Sequence, residues 1–340
     1  MIALQNFWHK LRHWEYWPWY IVYLPIFAYW LWCALKARAL FYMSAANPGF
    51  AYGGILGASK KAILDKLPAE LVPATVLLSP PQALQPAMQA MQAAGLYFPV
   101  IAKPDVGERG FRVALLHNSA DLEHYLQQTN DAIILQEYID LPMEVGVFYH
   151  RLPGDDMGKV TSVVVKGLLK VTGDGHHTVA QLMQGNPRAR MQLRRLLKNN
   201  NPLLATVPQP GEEVLLEPIG NHVRGTTFLD GTHLINEQLH RTFDRLARQI
   251  DGFYYGRFDL RCANPQALYR GDFKILELNG AASEPAHIYA PGYPLLRAYG
   301  VLFRHWRILY LISRANHHQG APYMSWRMGL EAIRKSRFLR

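Results

Sequence analysis

Cysteine is almost missing: the 340-residue chain has two, Cys33 and Cys262. Two isolated thiols make no disulfide framework and lack metal-ligand spacing, so a reducing, cytoplasmic compartment is expected. Charge is also sparse at 18% of residues, and acid is the scarcer sign, with 26 Asp and Glu against 36 Lys and Arg. The resulting formal charge of +10 suits a polyanionic partner such as a membrane surface, nucleotide phosphates or nucleic acid. Basic residues interleaved with exposed aromatics, or a recognition helix, are not found, which sets nucleic acid aside. Neither a GxxxxGK[ST] loop nor GxGxxG occurs, which excludes both of those phosphate-binding motifs. No small-residue cleavage site follows a short apolar run, so the N-terminus does not read as a secretory signal. What is plentiful is apolar surface, at 49% of residues, enough for one large or two ordinary folded domains.

Much of that apolar content falls at the start. Tyr16–Leu35 is an uncharged run of 20 residues, which as a continuous helix would reach about 30 Å, the thickness of a hydrocarbon core. Pro18 and Pro25 interrupt it, and Trp and Tyr, which favour the membrane interface, crowd it. Lys10 and Arg12 precede it; Lys36 and Arg38 follow it. Three readings fit: an in-plane or re-entrant segment, a spanning helix, or a docking helix packed on the rest of the protein. Basic flanks at both ends favour the first.

Two stretches carry chemistry. In 251–288, YYGRFDLRCA and DFKILELNG read as two strands joined by a turn-rich connection. Side chains two apart share a face, so Arg257 points with Asp259, and Glu277 with Asn279. Asp259, Glu277 and Asn279 supply hard oxygens suited to Mg²⁺, and Arg257 supplies a cation. Upstream, FPVIAKPDVGERGFRVALL ends an apolar strand at Lys103 and turns through a loop over 105–110 into a second strand. Gly107 and Gly110 let that loop turn its N–H groups onto phosphate, with Lys103 as a point charge beside them.

Together these segments resemble the ATP-grasp superfamily, in particular carboxylate–amine ligases such as D-alanine–D-alanine ligase and cyanophycin synthetase. The resemblance covers about residues 60–288 and implies an α+β ATP-grasp fold, two α+β subdomains clasping ATP. It implies that Lys103 and Gly107–Gly110 hold phosphates, and that an earlier lysine, Lys60 or Lys61 in GASKKAILDKLP, joins them. By the same match Gln136, Glu137, Tyr138 and Ile139 line adenine and Glu144 holds the ribose. Asp259, Glu277 and Asn279 bind one or two Mg²⁺ (or Mn²⁺), and Arg257 lies over the reacting group. VKGLLKVTGDGHHTVAQLM resembles a GDG-containing segment of cyanophycin synthetase. Asn221, His222, Arg224 and Thr226, in a polar loop between a strand and a long helix, are the substrate-side candidates. The implied activity is ATP- and Mg²⁺-dependent joining of a carboxylate to an amine through an acyl phosphate, with ADP and phosphate released. A phosphotransferase and a non-catalytic nucleotide sensor are the alternatives.

The chain departs from those ligases before Lys60, where they carry a full α/β domain and it has the aromatic run and a glycine-containing loop. The expected organisation is therefore a membrane-associated hydrophobic segment over 1–50, an ATP-grasp domain over 51–290, and basic amphipathic helices over 291–340. Such a protein would sit on the cytoplasmic face of the inner or plasma membrane and take small-molecule or lipid-linked carboxylate and amine substrates. Between these landmarks the pattern predicts a Ser-capped helix from Ser119 and a half-buried strand EVGVFYHRL. It also predicts one long strand over 159–171, in which Lys166 and Lys170 are solvated or reach a ligand, and a basic helix Pro187–Asn199 with a solvated face.

Overall fold

The computed structural model describes residues 2–107, 110–198 and 201–335. The N-terminal segment forms α1 (Ile2–Arg12), α2 (Trp19–Val22) and α3 (Leu24–Ala37). The long uncharged run is thus broken. Pro18 heads α2, and Tyr23 separates α2 from α3, with Pro25 in the first turn of α3 where its missing N–H costs nothing. At 14 residues, α3 is about 21 Å long, and among the described residues no helix is long and apolar enough to cross a membrane.

The helix α4 (Lys60–Leu64) packs through Ile63 and Leu64 on the core of the second subdomain, and the first subdomain contains β1 (Thr75–Leu78), α5 (Leu84–Ala93), β2 (Val100–Pro104), β3 (Ala114–Leu116), α6 (Ser119–Gln127) and β4 (Ile133–Glu137). Its strands form an antiparallel sheet in the order β1-β4-β2-β3. Ala87 and Met91 of α5 and Leu122 and Leu126 of α6 pack on Val100, Ala102 and Leu135. The cap of α6 is Asn118, whose side chain accepts the Asp121 N–H, and not the expected Ser119.

The second subdomain begins with β5 (Met143–His150) and β6 (Lys159–Gly167) and continues through β7 (Leu169–Thr172), α7 (Val179–Gly185), α8 (Pro187–Lys198) and β8 (Glu213–Glu217). It is completed by β9 (Thr227–Asp230), α9 (Glu237–Arg248), β10 (Tyr255–Cys262), α10 (Pro265–Arg270) and β11 (Phe273–Asn279). A five-stranded antiparallel sheet runs β11-β10-β5-β6-β9, and β7 pairs only with β8. The expected single strand over 159–171 is therefore two strands in two sheets. The strand expected to be half-buried, β5, is buried along nearly its whole length because it is central and α9 covers one face. The turn-rich connection between β10 and β11 is the short helix α10, capped by Asn264 and closed by Gly271 in the left-handed region.

The small β7–β8 sheet carries α7 and α8 on a core of Leu169, Val171, Met183 and Leu196. The basic face of α8 is mostly committed to partners: Arg188 pairs with Glu15, Arg190 with Asn6, and Arg195 with Glu217. The chain closes with α11 (Leu295–His318) and α12 (Trp326–Lys335); residues 336–340 of the expected C-terminal amphipathic helix lie outside the described residues. Cys33 and Ala34 of α3 pack with Leu309 and Ile312 of α11, and Val22 and Ile26 with Leu302 and Ala298. Asn316 donates to the Ala45 and Ala46 carbonyls. The N-terminal helices thus dock along α11, while Leu24 and Leu35, on the other side of α3, stay 69% and 73% exposed.

Candidate active site

Strand register assembles the site. In the β10–β11 pairing Arg257 lies opposite Asn279 and Asp259 opposite Glu277, so the four expected residues meet as two cross-strand pairs. Arg257 forks onto Asp259, Nε to Oδ1 and Nη2 to Oδ2, both at 2.9 Å, and Asn279 Nδ2 donates to Asp259 Oδ2 at 3.0 Å. On the neighbouring strand Gly146 faces Asp259, and a Cβ there would come within 2.8 Å of Oδ1. Glycine is what lets this ion pair lie flat over β5.

The stripe continues across the sheet. Glu144 on β5 lies opposite both Arg261 on β10 and Lys166 on β6. Its Oε1 accepts from Lys166 and its Oε2 from Arg261, each at 3.0 Å. Lys166 also stands 3.7 Å from Asp259. Burial alone would raise the Asp259 carboxyl, but Arg257 and Lys166 outweigh it and hold it below its ordinary value. Burial likewise works against charged Lys166, and Asp259 and Glu144 more than restore it. Glu144, expected at a ribose, has both oxygens engaged inside the protein. Lys166 belongs to the site, while Lys170 pairs with Glu213 in solvent.

The first sheet faces this stripe through Lys103, and α4 adds a second cation. Lys103 Nζ donates to Gln136 Oε1 at 3.0 Å and crosses to the Leu276 carbonyl of β11 at 3.1 Å, bridging the two sheets. With no carboxylate in bonding contact, its burial pulls the ammonium down to about 8. Of the two neighbouring lysines, Lys60 is the one that faces inward. Its Nζ reaches the Gly107 and Asp105 carbonyls and stands 3.9 Å from Glu277. Lys61, one helical step away, pairs with Asp65 at the surface. The Lys60, Lys103, Lys166 and Arg257 cations thus surround the carboxylates Asp259 and Glu277, while Arg261 matches Glu144. Positive charge remains in excess, as a polyphosphate requires.

Gly110, at φ +69°, takes the left-handed conformation, whereas Gly107 does not; Glu108 and Arg109 lie outside the described residues. The far end of this loop is tied to the second subdomain. Arg224 donates to the Gly110 and Val113 carbonyls at 3.2 and 2.7 Å, and the Asn221 side chain sits against Gly110. Two other substrate-side candidates do not line an open site. Thr226 is fully buried and donates to the Ile219 carbonyl. His222 packs against Tyr16, Phe228 and Tyr289, with burial first and Arg188 second lowering it to about 4.

The segment joining the two subdomains between β4 and β5 is 138–142. The Glu137 carboxylate accepts from the Ala74 N–H, the Tyr138 ring lies 5.3 Å from the Arg261 guanidinium, and Arg261 donates to the Ile139 carbonyl at 2.7 Å. Gln136 is buried against Lys103.

The donor set fits a hard divalent cation in its chemistry, since Asp259, Glu277 and Asn279 all offer oxygen. Among the described residues no cluster of three or more His, Cys, Asp or Glu gathers for a metal. Asp259 is engaged on both oxygens, and Asn279 turns its amide nitrogen toward it. Half-buried Glu277 and the Asn279 carbonyl are the freer donors.

Residues 61–148 match the RimK-like ATP-grasp domain family. No curated protein matches the sequence. Among solved structures, a bifunctional glutathione synthetase from Pasteurella multocida shares 18% identity, covering 72% of this chain and 35% of that one, at a TM-score of 0.35. A D-Ala:D-Ser ligase from Enterococcus faecalis shares 14% identity over 74% of this chain and 61% of that one, at 0.42. A D-alanine–D-alanine ligase from Bacillus anthracis complexed with ATP shares 13% over 77% and 68%, at 0.40. The chain spans 35% and 61% of the length of the first two of these. The matched domain ends at residue 148, so Lys166, Asp259, Glu277 and Asn279 stand on their own geometry. Within a mixed α/β fold, residues 61–148 are thus similar to a RimK-like ATP-grasp domain.

Proposed function

We propose that the protein is a Mg²⁺-dependent ligase that spends ATP to join a carboxylate to an amine and releases ADP and phosphate. The observation that carries this reading is the cation-rich cleft between the two sheets, where Lys60, Lys103, Lys166 and Arg257 surround Asp259 and Glu277. In a cleft largely screened from water, such a group can offset the repulsion of a carboxylate approaching a γ-phosphate. Lys60, Lys103 and the loop around Gly107 and Gly110 hold the phosphates; Gln136, Glu137, Tyr138 and Ile139 flank the base. Glu144 reaches a ribose only by exchanging one of its internal partners. Glu277, Asn279 and a lone pair of Asp259 would hold Mg²⁺, which would supply charge neutralisation at the phosphates. Arg257 is fixed from both sides, by Asp259 and by the Glu284 carbonyl at 3.1 Å. Its guanidinium would steady the oxyanion formed when an amine attacks the acyl phosphate. Asn221 and Arg224 act on the substrate side through their hold on the glycine loop.

The same proposal places the protein on a membrane surface. Leu24, Leu31, Trp32 and Leu35 of α3, with Phe7, Trp8 and Leu11 of α1, are exposed apolar side chains flanked by Lys10, Arg12, Lys36 and Arg38. That composition fits an in-plane amphipathic anchor, with substrates that are soluble or lipid-linked. Mg²⁺-dependent ADP release, assayed with a soluble metabolite extract and with a lipid extract, tests both parts. Stimulation by either extract, lost in Glu277→Gln, supports the ligase. Tight ATP binding with no release in either overturns it.

A further inference from the structure

Away from the charged cleft, a groove of about 590 Å³ opens between α3 and α11. Its walls are aromatic: Trp32 comes from α3, and Tyr323, after α11, stacks on His317 at 3.8 Å. Lys36, Arg307 and Arg314 stand along it, and among the described residues no acidic side chain lines it. Arg307 and Arg314 are seven residues apart on α11, so they share a face two turns, about 10 Å, from each other. Lys36 lies 4.8 Å from the Trp32 ring, and Arg314 Nε donates to His318 at 3.4 Å. Among the described residues none of the three has a carboxylate partner, unlike Arg188 and Arg195 on the equally basic α8.

Position adds to charge. On a helical wheel Trp32 and Lys36 adjoin the exposed row Leu24, Leu31 and Leu35, so the groove borders the surface proposed to meet the bilayer. Aromatic walls beside cations at the edge of an apolar face suit a ligand with an anionic head and a hydrocarbon tail. We propose that this groove binds the phosphate-bearing headgroup of an anionic lipid, with Arg307 and Arg314 on the phosphate and Trp32 beside the first acyl carbons.

This inference rests on the membrane-surface reading, and the test separates the two. The full chain is co-sedimented with phosphatidylcholine vesicles, alone or containing phosphatidylglycerol. The anionic lipid is expected to tighten binding by about tenfold or more, since a Lys or Arg near a charged bilayer contributes about 1 kcal/mol. Arg307→Gln/Arg314→Gln should remove most of that gain, while Arg241→Gln/Arg245→Gln, at exposed positions on α9, keeps most of it. Unchanged thermal melting and ATP affinity would exclude misfolding. A gain that survives in the arginine variant overturns the headgroup site, as does an equal loss in the control variant, which would mean diffuse attraction. Displacement by soluble glycerol phosphate at matched phosphate concentration would make it a free-anion site and overturn it too. If the parent binds neither vesicle, the membrane reading falls with it.

Discussion

The cleft between the sheets and the outer face of α3 invert the usual distribution of residues. The cleft buries Lys103, Asp259, Glu144 and Arg261, whereas the helix leaves Leu24, Leu31, Trp32 and Leu35 in the open. Charge in an interior costs several kcal/mol per ion unless it is paired, and a contiguous apolar face in water invites a partner. Each region carries a cost that folding alone does not require. In the cleft cross-strand pairing offsets most of that cost; on the helix no described residue covers the apolar row.

The sharpest way to break this comparison is to remove one charge from the cleft. Asp259→Ala leaves Arg257 and Lys166 without their shared carboxylate, and should lower stability by about 3–5 kcal/mol while abolishing ADP release. Glu277→Ala, at a half-exposed position, should abolish ADP release with the melting temperature nearly unchanged. Equal melting of the two variants would show that Asp259 does not hold the cleft together. Next comes Lys60→Ala, expected to weaken ATP binding at least tenfold in a calorimetric titration, while Lys61→Ala stays within about 0.5 kcal/mol of the parent; equal effects would refute the inward placement of Lys60.

A smaller effect is expected from pH. Lys103 lies near 8 in the folded protein against 10.5 in an unfolded chain. The unfolded chain therefore binds more protons in that window, and Lys103 makes stability rise as pH climbs through it. ATP needs the ammonium charged, so its affinity should fall over the same range. Opposite trends in melting and in ATP titration, both removed by Lys103→Met, would confirm the assignment. The gentlest change is Leu31→Ser/Leu35→Ser, which should weaken vesicle binding while ATP affinity stays put.

The β10–β11 carboxylates were legible in the sequence because alternation places residues two apart on one face, and the two strands lie close in the chain. Lys166 was not. Its partners Glu144 and Asp259 come from other strands, and no local pattern encodes that β6 lies beside β5 in this register. Gly146 was missed for the same reason: only the neighbouring strand shows what its absent side chain makes room for. Lys60 and Lys61 are adjacent and chemically alike, and helix phase decided between them. The uncharged N-terminal run carries its prolines openly, but the helix it packs on begins near residue 295, where apolar positions are interleaved with arginines. The basic face of α8 reads as solvated in isolation, since Glu15 and Asn6 reach it from the far end of the chain.

Asn47 links the two regions. It is fully buried; its oxygen accepts the Tyr254 and Tyr255 N–H groups and its nitrogen donates to the Gly53 and Tyr255 carbonyls. One side chain thereby rivets the N-terminal loop to the start of the strand that carries Arg257 and Asp259. With the aromatic face seated in a bilayer as proposed, this joint would hold the reacting groups at a fixed height above the lipid. A tethered substrate would then be chosen partly by the reach of its stalk, so the protein would measure length as well as chemistry.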